Sequence, residues 1–470
     1  MKKLLCLVIT ALSFFAAASA QHNFRTGYFL DGYKYNHKMN PALASDRGYF
    51  AIPVLGYTTA GVETNLSLSS FLYPDGKGGL NIFLSPDVLA SDFLKGIQNN
   101  NPINANVDLS VFSLGFHAGK SFNTLDVSVK ADVRSNIPGS LLSWAKQGGE
   151  ALDLSNFGVN ADSRIELAYG YSRSIGEKLR IGFKLKFIAA LAKASYSVDK
   201  LSLTMNEDLW KVTSQGHGYF YAPGLSLQTD KNAMINGLDI ADYDEILEAA
   251  YNSRNFGGAI DLGFSYDILN WLTLSASVTD LGLVYWNGIS KLEGASRTLE
   301  YAGFDNIGSE DLDVEEEFVA MGEELLNIVS PKLLSTKEKL KENLSMTSHV
   351  GLELRMPFYK RLSVGALGTY RFDGPYSWWE ARGSLNWALL RWLSFSASYA
   401  QSTFGESYGG AINLHPNGIN IFVGLDSFKP ALNLTKQYIP IDSFNTTLAV
   451  GVNIAFGKYH GRFPRNSRKK

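Results

Sequence analysis

Residues 445–456 alternate strictly along the chain. Leu448, Val450, Val452, Ile454 and Phe456 share one face, while Asn445, Thr447, Ala449, Gly451, Asn453 and Ala455 share the other. Period two with β-branched and aromatic residues predicts a strand. The pattern recurs upstream. Residues 125–133 set Leu, Val, Val, Ala and Val against Asp126, Ser128, Lys130 and Asp132; residues 179–187 set Leu, Ile, Phe, Leu and Phe against Arg180, Lys184 and Lys186; residues 260–268 oppose an apolar set to Asp261 and Asp267. An ordinary half-buried sheet packs its greasy face on a core and wets the other. The non-greasy face of 445–456 is small and uncharged, and elsewhere the charges keep to that same face. A charge facing lipid at mid-depth costs about 2–4 kcal/mol, so this exclusion predicts greasy faces that meet hydrocarbon.

A recurring turn orders these strands. Short breaks between two strands occur near Lys120, Gly176, Leu269, Tyr359, Leu390 and Asn417, whereas the connections between successive pairs run from a few residues to about sixty. Six short turns define twelve strands; residues 59–69 precede them and 445–456 follow. Fourteen strands, with twelve to sixteen as the range because residues 196–221 form a further potential hairpin, make an even-numbered transmembrane antiparallel β-barrel with short turns on one side and long loops on the other. Aromatic residues at strand ends form two expected girdles: Tyr266, Trp271, Tyr359, Trp387 and Trp392 by the short turns, and Tyr285, Trp286, Tyr370, Tyr376, Trp378, Trp379 and Tyr399 at the far ends. A secreted β-sandwich or solenoid is the competing architecture, but it needs neither so many strands of this length nor girdled ends.

The amino terminus changes the compartment. Lys2 and Lys3 precede an apolar run over residues 4–18, and Ala18-Ser19-Ala20 makes an A-x-A site before Gln21, the form of a cleavable secretory leader. The only cysteine, Cys6, lies inside it, so the mature chain is expected to lack disulfides and thiolate sites. Loss of Lys2 and Lys3 takes the formal net charge from −2 to −4, which offers nothing to nucleic acid. The expected location is the Gram-negative outer membrane, with its lipid as the first partner.

Inward positions of the last four strands are small (Ser394, Ser396, Ser398, Gly409, Ala411, Gly424, Ala449, Gly451 and Ala455), which leaves lumenal space. Residues 21–58, with Asn40, Pro41, Ala42 and Arg47, are expected to enter it as a plug or hatch; a loose periplasmic tail is the alternative. Arg180, Lys184, Lys186, Glu353 and Arg355 are expected to line the lumen and to pair with one another or with the plug. Helical insertions are expected at about 196–255 and 282–345. Residues 242–252 open on a capping-box pattern. A stripe at Val314, Phe318, Met321, Leu325 and Ile328, followed by Ser330-Pro331 and Leu333, Leu340 and Leu344, predicts an αα-hairpin lid with an acidic, solvated outer face. A basic periplasmic tail occupies 458–470.

Chemistry is not proposed by any motif. Seven histidines are scattered without a ligand pairing, and no nucleophile elbow, Walker loop or dinucleotide fingerprint occurs. No metal, no cofactor and no enzymatic activity are expected.

The Asn40-Pro41-Ala42 segment near the mature terminus, some fourteen strands and the leader together resemble the FadL-type long-chain fatty-acid transporter group. More narrowly they resemble the Bacteroidetes barrels related to PorV, including an uncharacterised family carrying a phrase similar to Ser277–Trp286, with Asp280, Leu281, Gly282 and Trp286. That resemblance implies a hatch formed by the segment around residues 40–42 and passage of hydrophobic ligands through the barrel wall. The leading expectation is passive transport of a small hydrophobic compound. A non-transporting scaffold or shuttle for a secretion or surface-assembly system is the alternative, and a barrel enzyme the third.

Overall fold

Thr446–Phe456 pairs on one side with Ile419–Phe428 and on the other with the beginning of the chain's β structure, Gly48–Ala51 and Thr58–Thr64. This pairing closes a fourteen-strand antiparallel barrel. The structure is a computed structural model describing residues 23–74, 80–148, 154, 157–205, 210–294, 296–299, 331–428 and 445–460. After the two-piece first strand, the wall continues through Asn100–Ala118, Ser121–Pro138, Gly158–Ile175, Leu179–Met205, Phe256–Leu269, Leu272–Gly294, Met346–Arg355, Leu362–Phe372, Trp378–Leu390, Leu393–Ser402, Gly405–Leu414, Ile419–Phe428 and Thr446–Phe456. Each is hydrogen-bonded to its sequence neighbour in that order. Closure matters because a backbone group left unpaired in hydrocarbon costs several kcal/mol.

All six short turns read from the sequence join neighbouring wall strands at one end, where the last strand also finishes. The outer face is apolar: Val350, Leu185, Leu385, Val423, Leu448 and Ile454 are all exposed. A contiguous apolar surface of this extent does not stay in water; it is the belt of a membrane-spanning barrel. Tyr266, Trp271, Tyr359, Trp387 and Trp392 rim the short-turn end, and Tyr285, Tyr370, Trp379 and Tyr399 are exposed toward the other. Trp286 and Trp378 depart from the expected girdle, both being only 3% exposed because they turn inward.

Three expectations need correction. The first wall strand begins at Gly48, inside the stretch assigned to the plug, and ends at Thr64 rather than 69. It is interrupted: six residues, 52–57, stand opposite two of the fourteenth strand, 451 and 452. Residues 331–344 do not form the second helix of a lid. Pro331–Asn343 is a strand paired with residues 283–294; its leucine spacing suits a helix, but pairing along an available sheet edge outweighs that preference. The stripe from Val314 to Ile328 and the leader lie outside the described residues. The helix predicted at 242–252 is present as Tyr243–Tyr251, and the hairpin foreseen at 196–221 is made by Leu179–Met205 with Trp210–Tyr221, above the level where Phe256–Leu269 begins.

Val350 is 55% exposed at the middle of its strand. Val350→Arg is expected to destabilise the lipid-inserted barrel by about 2–4 kcal/mol, measured by denaturant unfolding from vesicles, whereas Phe358→Arg in the short turn should be near neutral.

Candidate functional site

Residues 23–47 lie inside the wall and touch inward-facing residues around its circumference. The space they use is the space left by small wall residues. A Cβ on Gly424 would stand 2.1 Å from the Phe24 ring, one on Gly409 2.2 Å from Thr26, and one on Gly182 2.3 Å from the Pro41 carbonyl. Gly409, Ala411, Gly424 and Ala449 are among the small inward residues of the last strands, and Ala411 and Ala449 pack with Phe24 in one buried cluster.

Asn40-Pro41-Ala42 is built as a turn against the wall. Asn40 is completely buried; its Oδ1 accepts from the Ala42 N–H at 3.0 Å, closing an Asx turn. Its Nδ2 donates to the carbonyls of Phe264 (3.2 Å) and Ala276 (3.3 Å) on two adjacent strands, and to the Tyr28 hydroxyl at 3.1 Å. The side chain can come this close because the wall residue facing it is Gly263, where a Cβ would sit 2.1 Å from Oδ1. Arg47 is placed elsewhere: it sits at the short-turn rim, donating to Asn417 at 2.8 Å, rather than deep in the lumen.

At the opposite end Arg25 is enclosed by carboxylates. Its guanidinium pairs with Glu63 and, at 3.0 Å, with Glu380; its backbone N–H donates to Asp426 at 2.6 Å. Thr26 N–H also donates to Asp426 (3.1 Å), and Arg382 bridges Glu380 (2.8 Å) and Asp426 (3.0 Å). Trp378 lies beneath Arg25, with 5.0 Å between the guanidinium carbon and the ring centre. All these side chains are within a few per cent of full burial. Sequence reading missed this set. Its one local signal is Glu380-x-Arg382, two opposite charges on the inward face of a strand.

Between these ends the lumen is a lattice of ion pairs. Lys38 meets Asp108 at 2.9 Å; Lys184 donates to Asp126 and to His37 Nδ1, both at 3.1 Å, tying wall to inner segment. Lys186 bridges Asp261 (2.8 Å) and Asp280 (2.6 Å), and Arg164 joins Asp132, Asp162 and Glu166, each at 2.8 Å. Lys184 and Lys186 are thus inward-facing and ion-paired. Arg355 lies 3.3 Å from Glu353, and both, with Arg180, line a cavity of about 580 Å³ between residues 28–46 and the short turns. At the other mouth a cleft of about 660 Å³ is lined by Gln98, Asn99, Asn100, Asn136, Ser377 and Thr403. The cavities described between them hold about 40 Å³ each.

Asp280, Leu281, Gly282 and Trp286 mark where the wall changes partner. Residues 272–279 pair with Met346–Arg355, and residues 283–294 with Pro331–Asn343. Asp280 adopts φ 61°, a left-handed conformation that Asp tolerates better than most residues, at a bulge opposite Asp261. Its N–H donates to Asp261 at 2.8 Å. Leu281 faces lipid; Gly282 lies against Ala259 and the Gly258 carbonyl. Trp286 packs with Ile188, Val284 and Ile289 and donates to Glu342 at 3.2 Å. These four residues do not meet Asn40; Asp280 lines the two small lumenal cavities.

The profile of DUF5723, a family of unknown function, matches residues 41–426. The chain belongs to this family. The DUF5723 region runs from Pro41 of the inner turn to Asp426 of the Arg25 site, so both ends of the docked segment's wall contacts fall within it or at its edge. No curated protein matches the sequence. Solved structures similar in shape include the Pseudomonas putida toluene transporter TodX (8% identity, 93% of this chain and 95% of that one, TM-score 0.40), the Ralstonia pickettii toluene transporter TbuX (8%, 94% and 95%, 0.40) and a Pseudomonas aeruginosa FadL homologue (9%, 94% and 97%, 0.38).

Removing one member of a buried charge set costs about 3–5 kcal/mol, against about 1–3 kcal/mol for a buried hydrogen-bonding amide. Arg25→Met is therefore expected to lower the thermal transition of the folded barrel more than Asn40→Ala, read by heat-modifiable gel mobility. A pH effect arises at the rim. Burial pushes the His415 imidazole from 6.5 down to about 4; Asp46, 4.0 Å away, opposes this, and Lys34 and Arg47 add to it. The unfolded chain gains a proton there that the folded one refuses, so stability is full above pH 6.5 and declines as pH falls toward 4. His415→Gln is expected to flatten the thermal transition across that window; an unchanged slope would assign the acid sensitivity to other groups.

Proposed function

We propose that this protein is an outer-membrane conduit for passive passage of a small hydrophobic compound, with residues 23–47 as its plug. The observation that carries this reading is an aromatic cluster seated behind the break in the first strand. Tyr35 contacts Tyr57, Tyr49 and Phe422 at ring-centre distances of 4.6, 5.3 and 5.9 Å, and Tyr33 and Phe24 extend the cluster inward. The strand in front of it is broken at residues 52–57, where Val54 and Leu55 project outward at 49% and 61% exposure. The axial path is walled with charge, which an apolar molecule does not cross without losing its own favourable environment. The broken strand offers the short apolar way between lumen and lipid.

The plug itself is held by ion pairs and hydrogen bonds with cavities on both of its sides, an arrangement suited to a closed state that opens. Access from outside is by the amide-lined mouth, and from the periplasm by the larger cavity. The Arg180 and Arg355 side chains then belong to the periplasmic vestibule rather than to the seal.

Labelled naphthalene is expected to enter outer-membrane vesicles bearing the protein faster than vesicles without it, and faster still after deletion of residues 21–47. Equal rates in all three preparations would sink this reading for compounds of that class. One observation favours the second reading, a surface scaffold. Leu179–Met205 and Leu272–Gly294 run for 27 and 23 residues, where about 9–11 suffice to cross a bilayer. They raise a β wall beyond the membrane that a partner protein can dock on.

A further inference from the structure

The chain does not stop at the rim of the barrel. After Phe456 ends the fourteenth strand, Gly457 turns the backbone through φ 78°, and the next three residues cross the point where the inner segment leaves the lumen. The His460 N–H donates to the Asp46 carbonyl at 2.6 Å. The His460 ring stacks on His117, with centroids 4.0 Å apart and planes within 19°. The Arg47 guanidinium lies over the Tyr459 ring at 5.6 Å while donating to Asn417 in the short turn. His117 Nε2 is 2.8 Å from the Ser45 carbonyl, and Asp46 is ion-paired to Lys34, buried within the plug. Residues 458–460 therefore touch, in one place, the exit of the inner segment and the wall beside it.

We propose that residues 457–460 are a strap that locks the N-terminal plug into the lumen from the periplasmic side. The covalent path dictates the direction of exit. Residue 47 joins the first wall strand at the short-turn end, so the segment 23–47 leaves the lumen through that end, and the strap lies across it. The contacts are few and the strap residues are exposed or half-buried, which makes this a low-energy local opening compared with unfolding of the wall. A basic stretch, Arg462 to Lys470, continues the sequence beyond the strap.

The inference rests on the plug reading but not on any transported compound, so the test reads plug docking itself. The one cysteine of the sequence, Cys6, lies in the expected leader, and Ala42 is wholly buried; an Ala42→Cys protein that also carries Cys6→Ser, in outer-membrane vesicles opened to the periplasmic face, reports docking by its maleimide-labelling rate. Protection is expected in the full-length chain. Termination after Gly457, or Tyr459→Ala with His460→Ala, is expected to raise the rate about tenfold, the effect of weakening a local closed state by one such set of contacts; termination after His460 should leave it unchanged. The double substitution covers the case in which the truncated chain fails to assemble, scored by heat-modifiable mobility. Protection that persists in folded strap variants overturns the proposal, as does equal acceleration when only residues 461–470 are removed. Rapid labelling of the full-length chain would instead overturn the plug reading beneath it.

Discussion

The arrangement depends most on the burial of Arg25 among Glu63, Glu380 and Asp426. Three carboxylates on three different wall strands have no mutual reason to be near one another in a low-dielectric space, and each would repel the others without cations between them. Arg382 from the wall supplies one guanidinium and the inner segment supplies the second, together with two backbone N–H groups for Asp426. The inner segment is thus not an object placed in a finished container. It completes an electrostatic set that the wall alone leaves short of positive charge. The same logic extends down the lumen, where Lys38 answers Asp108.

Shape complements charge. Several inward glycines that look idle in the sequence become intelligible against the chain that fills the barrel: Gly424 against Phe24, Gly182 against Pro41, Gly263 against Asn40. A buried amide that donates to two neighbouring strands and closes its own turn is a satisfied polar network, the kind that rigidifies and specifies its surroundings. The result is a lumen divided into an amide-lined mouth at the long-loop end and a cavity at the short-turn end, with polar contacts between them and an aromatic cluster to one side.

Much of this is legible in the sequence. The alternation is strict because lipid on one face and a charged lumen on the other leave no position ambiguous, and the short turns repeat because antiparallel neighbours need them. Other features hide by their nature. Arg25, Glu63, Glu380 and Asp426 are separated by up to 401 residues, and no local pattern marks charges that meet only after closure. Residues 331–343 mislead because leucines at helical spacing, with Pro at the first position, satisfy the helix template while the deciding partner, residues 283–294, lies in another segment. Trp286 and Trp378 sit at strand ends like girdle residues, yet one packs where the wall bends around Asp280 and the other beneath a buried guanidinium. Position along a strand carries no statement of which neighbour will need the ring.

The two-piece first strand has a kinetic consequence. Its pairing with the fourteenth strand spans some of the longest sequence separations the chain allows, and the buried apolar cluster beside it draws on Phe24, Phe122, Phe422 and Ala449 at once. Contacts of such high order form late and slowly. Closing the cylinder and enclosing its N-terminal segment are therefore coupled steps of one assembly event, in which the seam of the barrel is also the place where its content is captured.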